Sequence, residues 1–544
     1  MSNERKYPDL HDHLDALKKA GLLLTIDRAI DKDAEMHPLV RWQYVGGIEQ
    51  EERKAFLFTH VVDGRGRKYK FPVVVGALAA NPAVYLIGMQ APAEDVETRW
   101  GEATAHPIAP RVVEKAPCQE VVIEGHALKG EGNGLDSLPI PISTPGFDSA
   151  PTLTATNVIT KDPDSGIQNH GTYRAALKSN DRMVVRMATR SGGAGGYRHY
   201  QKHQARGDKQ MPCAIVLGAP PCVAYVAPMK LPIDVDEIGV AGGLVGAPIN
   251  VVKARTVDLL VPAEAEIVIE GYIDTEYLEP EGPFGESHGH IALEEFNMPM
   301  RVTAITHRKN AIVASYISQV TPSESSAIKL VSYEPMFLAH LRKTLGIRGV
   351  KRVKLHERLT ALRRIIIVVM EKNTPKTEIW RALQGASAFR ADCGKICIAV
   401  DDDIDPENSD AIFWALAFRM NPSSDLQVID YRSPGHGPER EHEAERMDAT
   451  LLMDATRKEE LPPLALPRRE YMERAGKIWD ELGLPKRRPQ APWFSPGDGD
   501  WLPQWDAAAQ RAVEGRYMDN GKISEKLKRK GLKPETRFRP GEDQ

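Results

Sequence analysis

The sequence predicts an α+β protein, and three features of the residue pattern indicate this fold class. The chain opens with an amphipathic helical pattern followed by short strand-like runs, and its long middle region is dominated by β-branched runs separated by turn residues. After Ser323 the pattern changes, and strands and helices alternate. With 544 residues, of which 42% are hydrophobic, the chain has enough material for two or three domains.

The first domain is predicted over residues 1–120. Leu10 to Gly21 shows the spacing of apolar residues that is typical of an amphipathic helix. Ala55 to Val61 and Pro72 to Leu78 are typical of short strands. This mixture predicts a small α/β domain.

A second domain, predicted over residues 121–325, contains the proline-rich passage PLPIPISTPGFDSAPT and a long series of strand-like runs. The β-branched content of these runs and the turns between them indicate a β-barrel or a sandwich. The runs are Leu153 to Thr160, Met183 to Ala188, Ala214 to Leu217, Ala265 to Ile273, Arg301 to Thr306 and Ile312 to Ile317.

Alternating helices and strands predict a third, α/β domain over residues 326–470, in which the crossover favours parallel pairing of two strands. Helices are predicted over Glu334 to Leu345, over Lys376 to Gly385 and from about Pro406 to Met420, and strands over Arg364 to Met370 and Ile396 to Val400. Residues 471–544 are rich in Pro, Trp, Lys and Arg, and we expect a C-terminal helix and an irregular basic tail there.

Composition and charge disfavour several classes of protein. A net charge of -4 gives no sign of a nucleic-acid-binding protein, and no apolar run approaches the roughly 18 residues that would span a bilayer. The charged start lacks the apolar core of a secretion signal, and the five cysteines are an odd and scattered set. We therefore expect a cytoplasmic protein with buried, structural cysteines.

The most informative segment is Glu281-Gly282-Pro283-Phe284-Gly285-Glu286. Pro and Gly exclude a regular helix or a central strand, so the two carboxylates are expected on a loop. Two carboxylates held away from water can differ in pKa, and such a pair can transfer a proton at neutral pH. An acidic surface turn is the alternative interpretation.

Two further segments could bind ligands. In Asn169-His170-Gly171-Thr172-Tyr173-Arg174, the guanidinium could bind a carboxylate and the amide oxygen could bind a divalent ion, although Arg174 could equally pair with a structural carboxylate. Lys395, Arg190 and the glycine-rich run from Ser191 could bind phosphate, or the run could be a flexible linker. The run matches neither a Walker loop nor a dinucleotide fingerprint.

Taken together, these segments resemble the UbiD family of prenylated-flavin-dependent decarboxylases over most of the chain. The family's Asn-x-x-x-x-Arg element matches Asn169 and Arg174, its acid before a helix rich in Ala and Gly matches Glu237, and its paired-acid loop matches Glu281 and Glu286. The segments SQVTPSESSA, GKICIAVDDDID and MDATRK are also similar to family segments.

The resemblance implies a central flavin-reductase-like split β-barrel that holds prenylated FMN, supplied by a flavin prenyltransferase. It also implies a C-terminal domain used for homo-oligomerisation, as a dimer or a hexamer. A potassium ion and a divalent metal (Mn2+ or Fe2+) would hold the cofactor phosphate through Asn169, Glu237 and a histidine. The cofactor-binding residues that we assign on this basis are Asn169, Thr172, Tyr173, Arg174, Arg190, Ser191, Gly192, Glu237 and Lys395.

One ligand of the family pattern is missing, because Arg190 stands where the histidine is expected. Either His170 or His199 replaces it, or the Arg190 guanidinium contacts the phosphate directly and reduces the need for a metal. We favour direct contact, because Arg matches phosphate geometry well. This difference does not change the prediction of a bound flavin, whereas it leaves open whether a divalent metal is bound.

The family mechanism implies that the substrate carbon bonds covalently to the prenylated flavin before carbon dioxide leaves. Glu286 would then be the proton donor, Arg174 would orient the substrate carboxylate, and Glu281 would pair with Arg174. The catalytic residues that the resemblance assigns are therefore Arg174, Glu281 and Glu286, in a non-oxidative and reversible carboxy-lyase.

The substrate is expected to be an aromatic or α,β-unsaturated acid. At about 60 kDa and with a basic tail, the chain is most similar to the larger family members, including phthaloyl-CoA decarboxylase, so that phthaloyl-CoA would give benzoyl-CoA and carbon dioxide. The tail, which could contact coenzyme A phosphates or simply be solvated, contains Lys526, Lys528, Arg529, Lys530, Lys533, Arg537 and Arg539. A decarboxylase or carboxylase of a free hydroxybenzoate-type acid, a flavin reductase and a non-catalytic flavin-binding protein remain alternatives.

Overall fold

The computed structural model describes residues 5–189, 193–229, 231–232, 235–287, 289–317, 319–356, 363–391, 393–433, 447–459, 461–490, 492–495, 500–530, 533 and 536. Arg190, Ser191 and Gly192, three of the predicted cofactor-binding residues, therefore lie outside the described residues. So do Arg537 and Arg539 of the predicted basic tail.

Helices occur along the whole of the described chain. The first one shows why the sequence folds as it does: the Asp9 side chain accepts the N–H of Asp12, and Leu10, Leu14 and Leu17 lie on its buried face. The α-helices are Leu10–Lys19, Met36–Val45, Pro82–Met89, Val96–Ala105, Gly195–Arg206, Pro221–Val226, Glu237–Val245, Glu324–Ala339, Lys376–Ala388, Ser409–Arg419, Arg469–Glu481, Pro503–Val513 and Tyr517–Lys526, and a π-helical turn spans His340–Thr344.

The central feature is a ten-stranded sheet whose pairings among the described residues follow an open path. In order across this sheet the strands are Thr152–Leu153, Arg174–Ser179, Arg182–Arg186, Phe296–His307, Ile267–Asp274, Gln210–Leu217, Thr156–Lys161 and Gln168–Gly171, and Glu279–Pro280 and Val121–Glu124 also pair with Phe296–His307. The predicted mixture of α and β structure is confirmed. No closed ring of strands is found in the described chain, so the split-barrel description stays a prediction.

The remaining strands form four smaller sheets. They are Leu23–Asp31, Ala55–Val62, Val73–Val75 and Val313–Ser315 in the first; Leu260–Pro262, Asn250–Lys253 and Arg111–Val112 in the second; Phe284–Gly285 and Ile291–Ala292 in the third; and Val350–Leu355, Ile365–Met370, Ile396–Asp401, Asp448–Asp454 and Leu426–Arg432 in the fourth.

Buried aliphatic side chains make the ten-stranded sheet the centre of the hydrophobic core. Ile215, Ile269 and Ile305 come from three of its strands and are fully buried in one cluster. Burying such side chains contributes roughly 1.5–3 kcal/mol each relative to leaving them exposed. This core fixes the strands that carry the residues described in the next subsection.

The chain divides into two compact units. One contains the described residues of Met1–Val368, Pro375–Ile398 and Gln427–Leu452, and the other those of Val369–Thr374, Ala399–Leu426 and Met453–Gln544. The three boundaries between the four predicted segments stay predictions. Among the described residues, no helix is both long and apolar enough to cross a bilayer.

Three local predictions were wrong. The helix predicted from Glu334 begins at Glu324, because Ser323 caps it and Pro335 is accommodated inside it. The strands Val350–Leu355, Leu426–Arg432 and Asp448–Asp454 were not predicted, since charged residues interrupt their apolar pattern. The tail predicted as irregular contains the last two helices, Pro503–Val513 and Tyr517–Lys526.

Candidate active site

Arg174, Glu281 and Glu286 meet at one point of the fold. Nε and Nη2 of Arg174 donate to Oε1 and Oε2 of Glu281 at 2.6 and 2.9 Å, and Nη1 of Arg174 donates to Oε1 of Glu286. The three side chains are only 8%, 2% and 10% exposed, respectively. The guanidinium is therefore shared between two carboxylates that are largely shielded from water, and such charge-assisted hydrogen bonds are strong.

The backbone of the paired-acid loop depends on its two glycines. Gly282 has a φ of +101°, and a Cβ there would lie 1.9 Å from Oγ of Ser149. A Cβ on Gly285 would lie 2.1 Å from Oγ1 of Thr144. A side chain at either position would force the neighbouring hydroxyl group to move, and at Gly282 it would also be strained by the positive φ, so glycine lets the loop pass close to the neighbouring segment.

Three polar side chains hold the loop in place. Nζ of Lys178 donates to the main-chain oxygens of Pro280 and Glu281 at 2.8 and 2.9 Å. Nδ2 of Asn297 donates to Oε2 of Glu281 at 3.1 Å, and Oδ1 of Asp148 accepts the N–H of Gly285 at 3.0 Å. Burial raises the pKa of Asp148. Sequence reasoning missed these three residues, because they come from distant segments and match no motif.

A second arginine, Arg186, lies beside Glu286. Arg186 is the direct partner of Arg174 in the antiparallel pairing of their strands. Its Nη1 lies 4.0 Å from Oε1 of Glu286, and its Nε lies 3.8 Å from Oε2 of Glu295. The ring of Phe284 covers the other guanidinium, with Cζ of Arg174 at 4.6 Å from its centroid. Arg186 was not predicted, because the sequence does not show which strands pair.

These side chains face a cavity of about 1320 Å³. Arg174, Arg186, Phe284 and Glu286 line it, whereas Glu281 is absent from the described lining and is buried behind Arg174. The lining also includes the predicted cofactor-binding residues Asn169, Thr172, Tyr173 and Glu237. The structure thus brings the predicted catalytic residues and four more of the predicted cofactor-binding residues to one cavity.

Asn169 is positioned by the hydroxyl group of Tyr173 and by close contact with the main chain at Gly195. Its Nδ2 donates to the hydroxyl oxygen of Tyr173 at 3.2 Å, and the same oxygen accepts the N–H of Gly196 at 3.3 Å. Burial raises the pKa of Tyr173 to about 12, so the phenol stays protonated. A Cβ on Gly195 would lie 1.8 Å from Oδ1 of Asn169, which means that the amide oxygen fills the space over this glycine.

Glu237 begins the helix Glu237–Val245, and the Asp236 side chain caps that helix. Oε2 of Glu237 accepts the main-chain N–H of His170 at 3.1 Å. Burial raises the pKa of Glu237 to about 7. This carboxylate has no cationic partner among the described residues, in contrast to Glu281 and Glu286.

The two histidines considered as metal ligands are both buried. Neither ring nitrogen of His170 has a hydrogen-bond partner in the described structure, and burial lowers the pKa of His170 to about 3. Nδ1 of His199 contacts Oγ1 of Thr160 at 2.9 Å, and burial lowers the pKa of His199 to about 4. The described residues contain no group of three or more His, Cys, Asp or Glu side chains that could hold a metal ion. The replacement of the missing histidine stays a prediction.

Lys395 lies elsewhere. Its exposed ammonium group contacts the carboxylate of Asp448, and Lys395 is not among the described residues that line the cavity. The structure therefore does not support the predicted contact between Lys395 and the cofactor phosphate. The sequence shows that Lys395 precedes an aliphatic strand, but it does not show which side of the sheet the lysine side chain faces.

Two family models match this chain. The model of the 3-octaprenyl-4-hydroxybenzoate carboxy-lyase Rift-related domain matches residues 111–320, and the model of the 3-octaprenyl-4-hydroxybenzoate carboxy-lyase C-terminal domain matches residues 330–444. The two matches together span more than half of the chain.

Solved structures show the same likeness. The UbiD-class enzyme HmfF from Pelotomaculum thermopropionicum, in complex with FMN, is 27% identical with a TM-score of 0.72, covering 84% of this chain and 95% of that chain. An evolved dimeric form of HmfF, in complex with prFMN, is also 27% identical with a TM-score of 0.72, covering 84% and 97%. Vanillic acid decarboxylase from Sedimentibacter hydroxybenzoicus, in an open form, is 23% identical with a TM-score of 0.72, covering 88% and 100%, and shows the fold alone.

Proposed function

The chain belongs to the UbiD family of carboxy-lyases, and we therefore propose that it decarboxylates an aromatic or α,β-unsaturated acid with prenylated FMN as its cofactor. One observation carries the proposal. Arg174 contacts Glu281 and Glu286 at once, at the wall of a large cavity. A hydride-transferring flavin reductase has no need for such a trio, so this arrangement favours the decarboxylase.

The cavity fits a flavin by size and by chemistry. Its volume of about 1320 Å³ exceeds the roughly 300–1000 Å³ of most cofactor sites, which leaves room for a substrate beside a flavin. The first turn of the helix Gly195–Arg206 faces it, and the free N–H groups of a helix N-terminus favour phosphate. The FMN bound by HmfF supports this assignment.

Asn169 and Glu237 are the residues that we propose as ligands of a cation at the phosphate. Carboxylate and amide oxygens suit K+ and hard divalent ions such as Mn2+ or Fe2+. The described residues contain no group of three or more His, Cys, Asp or Glu side chains at this point, and phosphate oxygens would add ligands to the two that we propose. We therefore assign no chemical step to the metal.

Arg174 is positioned to orient the substrate carboxylate. Glu281 occupies the edge of the guanidinium formed by Nε and one N–H of Nη2, and Nη1 donates to Glu286. One N–H of Nη1 and one of Nη2 therefore remain for a ligand in the cavity that Arg174 lines. Glu281 also balances the charge of Arg174, which keeps the bound carboxylate from being held too strongly to leave. The bidentate pair fixes the plane of the guanidinium, and positioning of this kind contributes strongly to catalysis.

Glu286 is the proposed proton donor. When the bond to the carboxylate carbon breaks, carbon dioxide leaves and its bonding electron pair stays on the substrate carbon; prenylated FMN, when bound, supplies the electron sink that makes this possible. The neutral carboxylic acid of Glu286 then gives its proton to that carbon and regains one from water. Its place on the cavity wall, beside Arg174, allows both steps.

For the substrate, we propose an aromatic acyl-CoA such as phthaloyl-CoA, giving benzoyl-CoA and carbon dioxide. A free aromatic acid of the hydroxybenzoate type is the second candidate, favoured by the match to the 3-octaprenyl-4-hydroxybenzoate carboxy-lyase family models. We also propose a homo-oligomer, as the dimeric form of HmfF suggests, and a flavin prenyltransferase as cofactor supplier.

Glu286→Gln tests the proposal, because the amide keeps the shape of the side chain but cannot donate an acidic proton. We expect the variant to bind flavin as the wild type does and to lose decarboxylation by at least about 10²-fold. Glu294→Gln removes an exposed carboxylate nearby and should leave turnover unchanged. Near-wild-type turnover by Glu286→Gln would refute the assignment.

A further inference from the structure

Arg174 is one positive charge that already has two carboxylate partners. Glu281 accepts from its Nε and Nη2 at 2.6 and 2.9 Å, and Glu286 accepts from its Nη1. None of the three side chains is more than 10% exposed, so water screens their charges only weakly. With both acids ionised, the three side chains hold one more negative charge than positive charges.

Arg186 does not remove this excess of negative charge. Its Nη1 lies 4.0 Å from Oε1 of Glu286, and its Nε lies 3.8 Å from Oε2 of Glu295. This guanidinium is thus placed between two carboxylates, and its charge is matched by that of Glu295. The five side chains together still hold one more carboxylate than guanidinium groups.

Three further groups face Glu286 or its loop. Oδ1 of Asp148 accepts the N–H of Gly285 at 3.0 Å, which adds a fourth carboxyl group. Lys178 adds one ammonium group, which donates to two main-chain oxygens at the start of the loop. His290 faces Glu286 through its main-chain oxygen, which accepts the N–H of Glu286 at 3.1 Å, and its side chain is exposed. Apart from this exposed imidazole, the described groups hold four carboxyl groups against three cations.

Under the proposed function, the substrate carboxylate brings a further negative charge to Arg174. One N–H of Nη1 and one of Nη2 remain to bind it. Two oxygens that accept from one nitrogen lie roughly 5 Å apart, so an oxygen bound to Nη1 lies beside Oε1 of Glu286. At this separation, in a site shielded from water, two carboxylates do not both stay ionised, and one of them takes a proton.

We propose that binding of the substrate carboxylate draws one proton from solution onto Glu286, and that Glu286 later gives this proton to the substrate carbon. The inference rests on the proposed function and adds the step at which the acid receives its proton. Because only an ionised carboxylate can leave as carbon dioxide, productive binding places the proton on Glu286 and not on the substrate.

The protons and electrons of a turnover balance on this basis. When the bond to the carboxylate carbon breaks, its electron pair stays on the substrate carbon, and that carbon then takes the proton of Glu286. Glu286 is left ionised, and Arg174 is again its partner. Each turnover therefore consumes one proton from solution, which enters when the next substrate binds.

Isothermal titration of benzoate into the flavin-loaded protein at about pH 6.5 measures this proton. In buffers that differ in their enthalpy of ionisation, the observed binding enthalpy changes with a slope equal to the number of protons taken up. We expect about one proton per benzoate bound by the wild type. Benzamide, which has the same ring without the charge, should bind with no proton uptake.

Glu286→Gln should bind benzoate with almost no proton uptake, because the amide has no ionised form to protonate. Glu294→Gln is the matched control, since Glu294 is an exposed carboxylate of the same region, and it should keep an uptake of about one proton. Asp148→Asn should keep it as well. Uptake that survives in Glu286→Gln, or that Asp148→Asn abolishes, would overturn the assignment to Glu286.

The affinity of the wild type keeps the proposal testable if Glu286→Gln does not fold. Uptake of one proton predicts that benzoate binds about tenfold more weakly at about pH 7 than at about pH 6, whereas benzamide binds equally at both. No proton uptake by the wild type, or a benzoate affinity that does not change with pH, would overturn the proposal. Neither result affects the proposed decarboxylase, whose failure would instead appear as turnover that survives Glu286→Gln.

Discussion

Two groups of residues at the cavity hold their carboxylates in different ways. In the first, which we call the acid end, Glu281 and Glu286 both contact the guanidinium of Arg174. In the second, which we call the amide end, Glu237 accepts a main-chain N–H and burial raises its pKa to about 7. The described residues offer no cation to Glu237 and no partner to the ring of His170.

At the acid end the carboxylates find a cationic partner within the chain, whereas at the amide end Glu237 finds none among the described residues. A buried carboxylate paired with a guanidinium can stay charged, whereas one held only by an amide costs free energy to ionise. The acid end therefore has its charges balanced within the chain before any ligand binds. Under the proposed function, a cation and the phosphate of the cofactor would complete the contacts at the amide end.

The largest expected effect comes from Arg174→Met, which would remove the common partner of both acids. Breaking a buried ion pair costs about 3–5 kcal/mol, because the remaining charge is left without compensation. We expect the free energy of unfolding to fall by about that amount and turnover to fall at least about 10²-fold. Denaturant unfolding and a decarboxylation assay measure the two effects.

Arg301→Met is the control for this loss of a guanidinium. Arg301 is exposed, and its ion pair with Asp181 lies on the surface. Such pairs contribute about 0–1 kcal/mol. If Arg174→Met and Arg301→Met lost equal stability, the acid end would not be the tightly paired site described above.

Sequence predicted the acid end well, because its chemistry lies in short contiguous motifs. Gly282 and Gly285 already indicate in the sequence that the loop Glu281 to Glu286 has an unusual backbone. In the structure, a Cβ at either position would lie too close to a neighbouring side chain. The role of Arg174 was predicted from the resemblance to the UbiD family, whose Asn-x-x-x-x-Arg element matches Asn169 and Arg174, and the structure brings both residues to the same cavity. Local signals of this kind do not depend on the arrangement of the strands.

What escaped prediction depends on that arrangement. Arg186 faces Glu286 only because its strand pairs with that of Arg174, and Asn297 reaches Glu281 only from a third strand. The helix that begins at Glu324 was predicted to begin ten residues too late, since Ser-rich starts and an internal Pro335 weaken the helical pattern. Lys395 carried the right charge but pairs with Asp448 instead.

Glu324 is another buried carboxylate that is held by main-chain N–H groups, as Glu237 is. Its raised pKa can be tested through stability alone, without a ligand. Its oxygens accept the N–H groups of Gly76, Leu78 and Ala79, and burial raises its pKa to about 7 from its usual value of 4.5. Between these two values the folded state holds a proton that the unfolded state has released. The free energy of unfolding should therefore fall as pH rises from about 4.5 to 7, by up to about 3 kcal/mol.

Glu324→Gln removes this titration, so its stability should change less than that of the wild type between pH 5 and pH 8. The amide also places a donor against the N–H of Gly76, so near pH 4.5 the variant should be less stable than the wild type by about 1–3 kcal/mol. This deficit should shrink as pH rises, because only the wild type loses stability through the titration of Glu324. Chemical denaturation at several pH values measures both effects. An identical pH slope in variant and wild type would contradict the raised pKa.

The smallest expected effect is at the amide end, in Gly195→Ala. The added Cβ would meet Oδ1 of Asn169 at 1.8 Å, so Asn169 must move. We expect flavin binding to weaken about tenfold, or about 1.4 kcal/mol, with little change at the acid end. Fluorescence titration with FMN measures the affinity.

Gly101→Ala is the matched control, because a Cβ on Gly101 meets nothing within 4 Å and the residue lies inside the helix Val96–Ala105. It should leave flavin affinity unchanged and raise stability by about 0.5–1 kcal/mol. Equal flavin affinity in Gly195→Ala and Gly101→Ala would exclude Asn169 from the cofactor site.

The most direct test of the whole account is anaerobic purification from cells that also produce a flavin prenyltransferase. Mass spectrometry would identify the bound cofactor, and carbon dioxide release would be assayed with phthaloyl-CoA and with free aromatic acids. We predict bound prenylated FMN and carbon dioxide release that disappears in Glu286→Gln. Activity on free acids alone would exclude the acyl-CoA substrate, and a protein loaded with prenylated FMN that releases carbon dioxide from none of them would contradict the account.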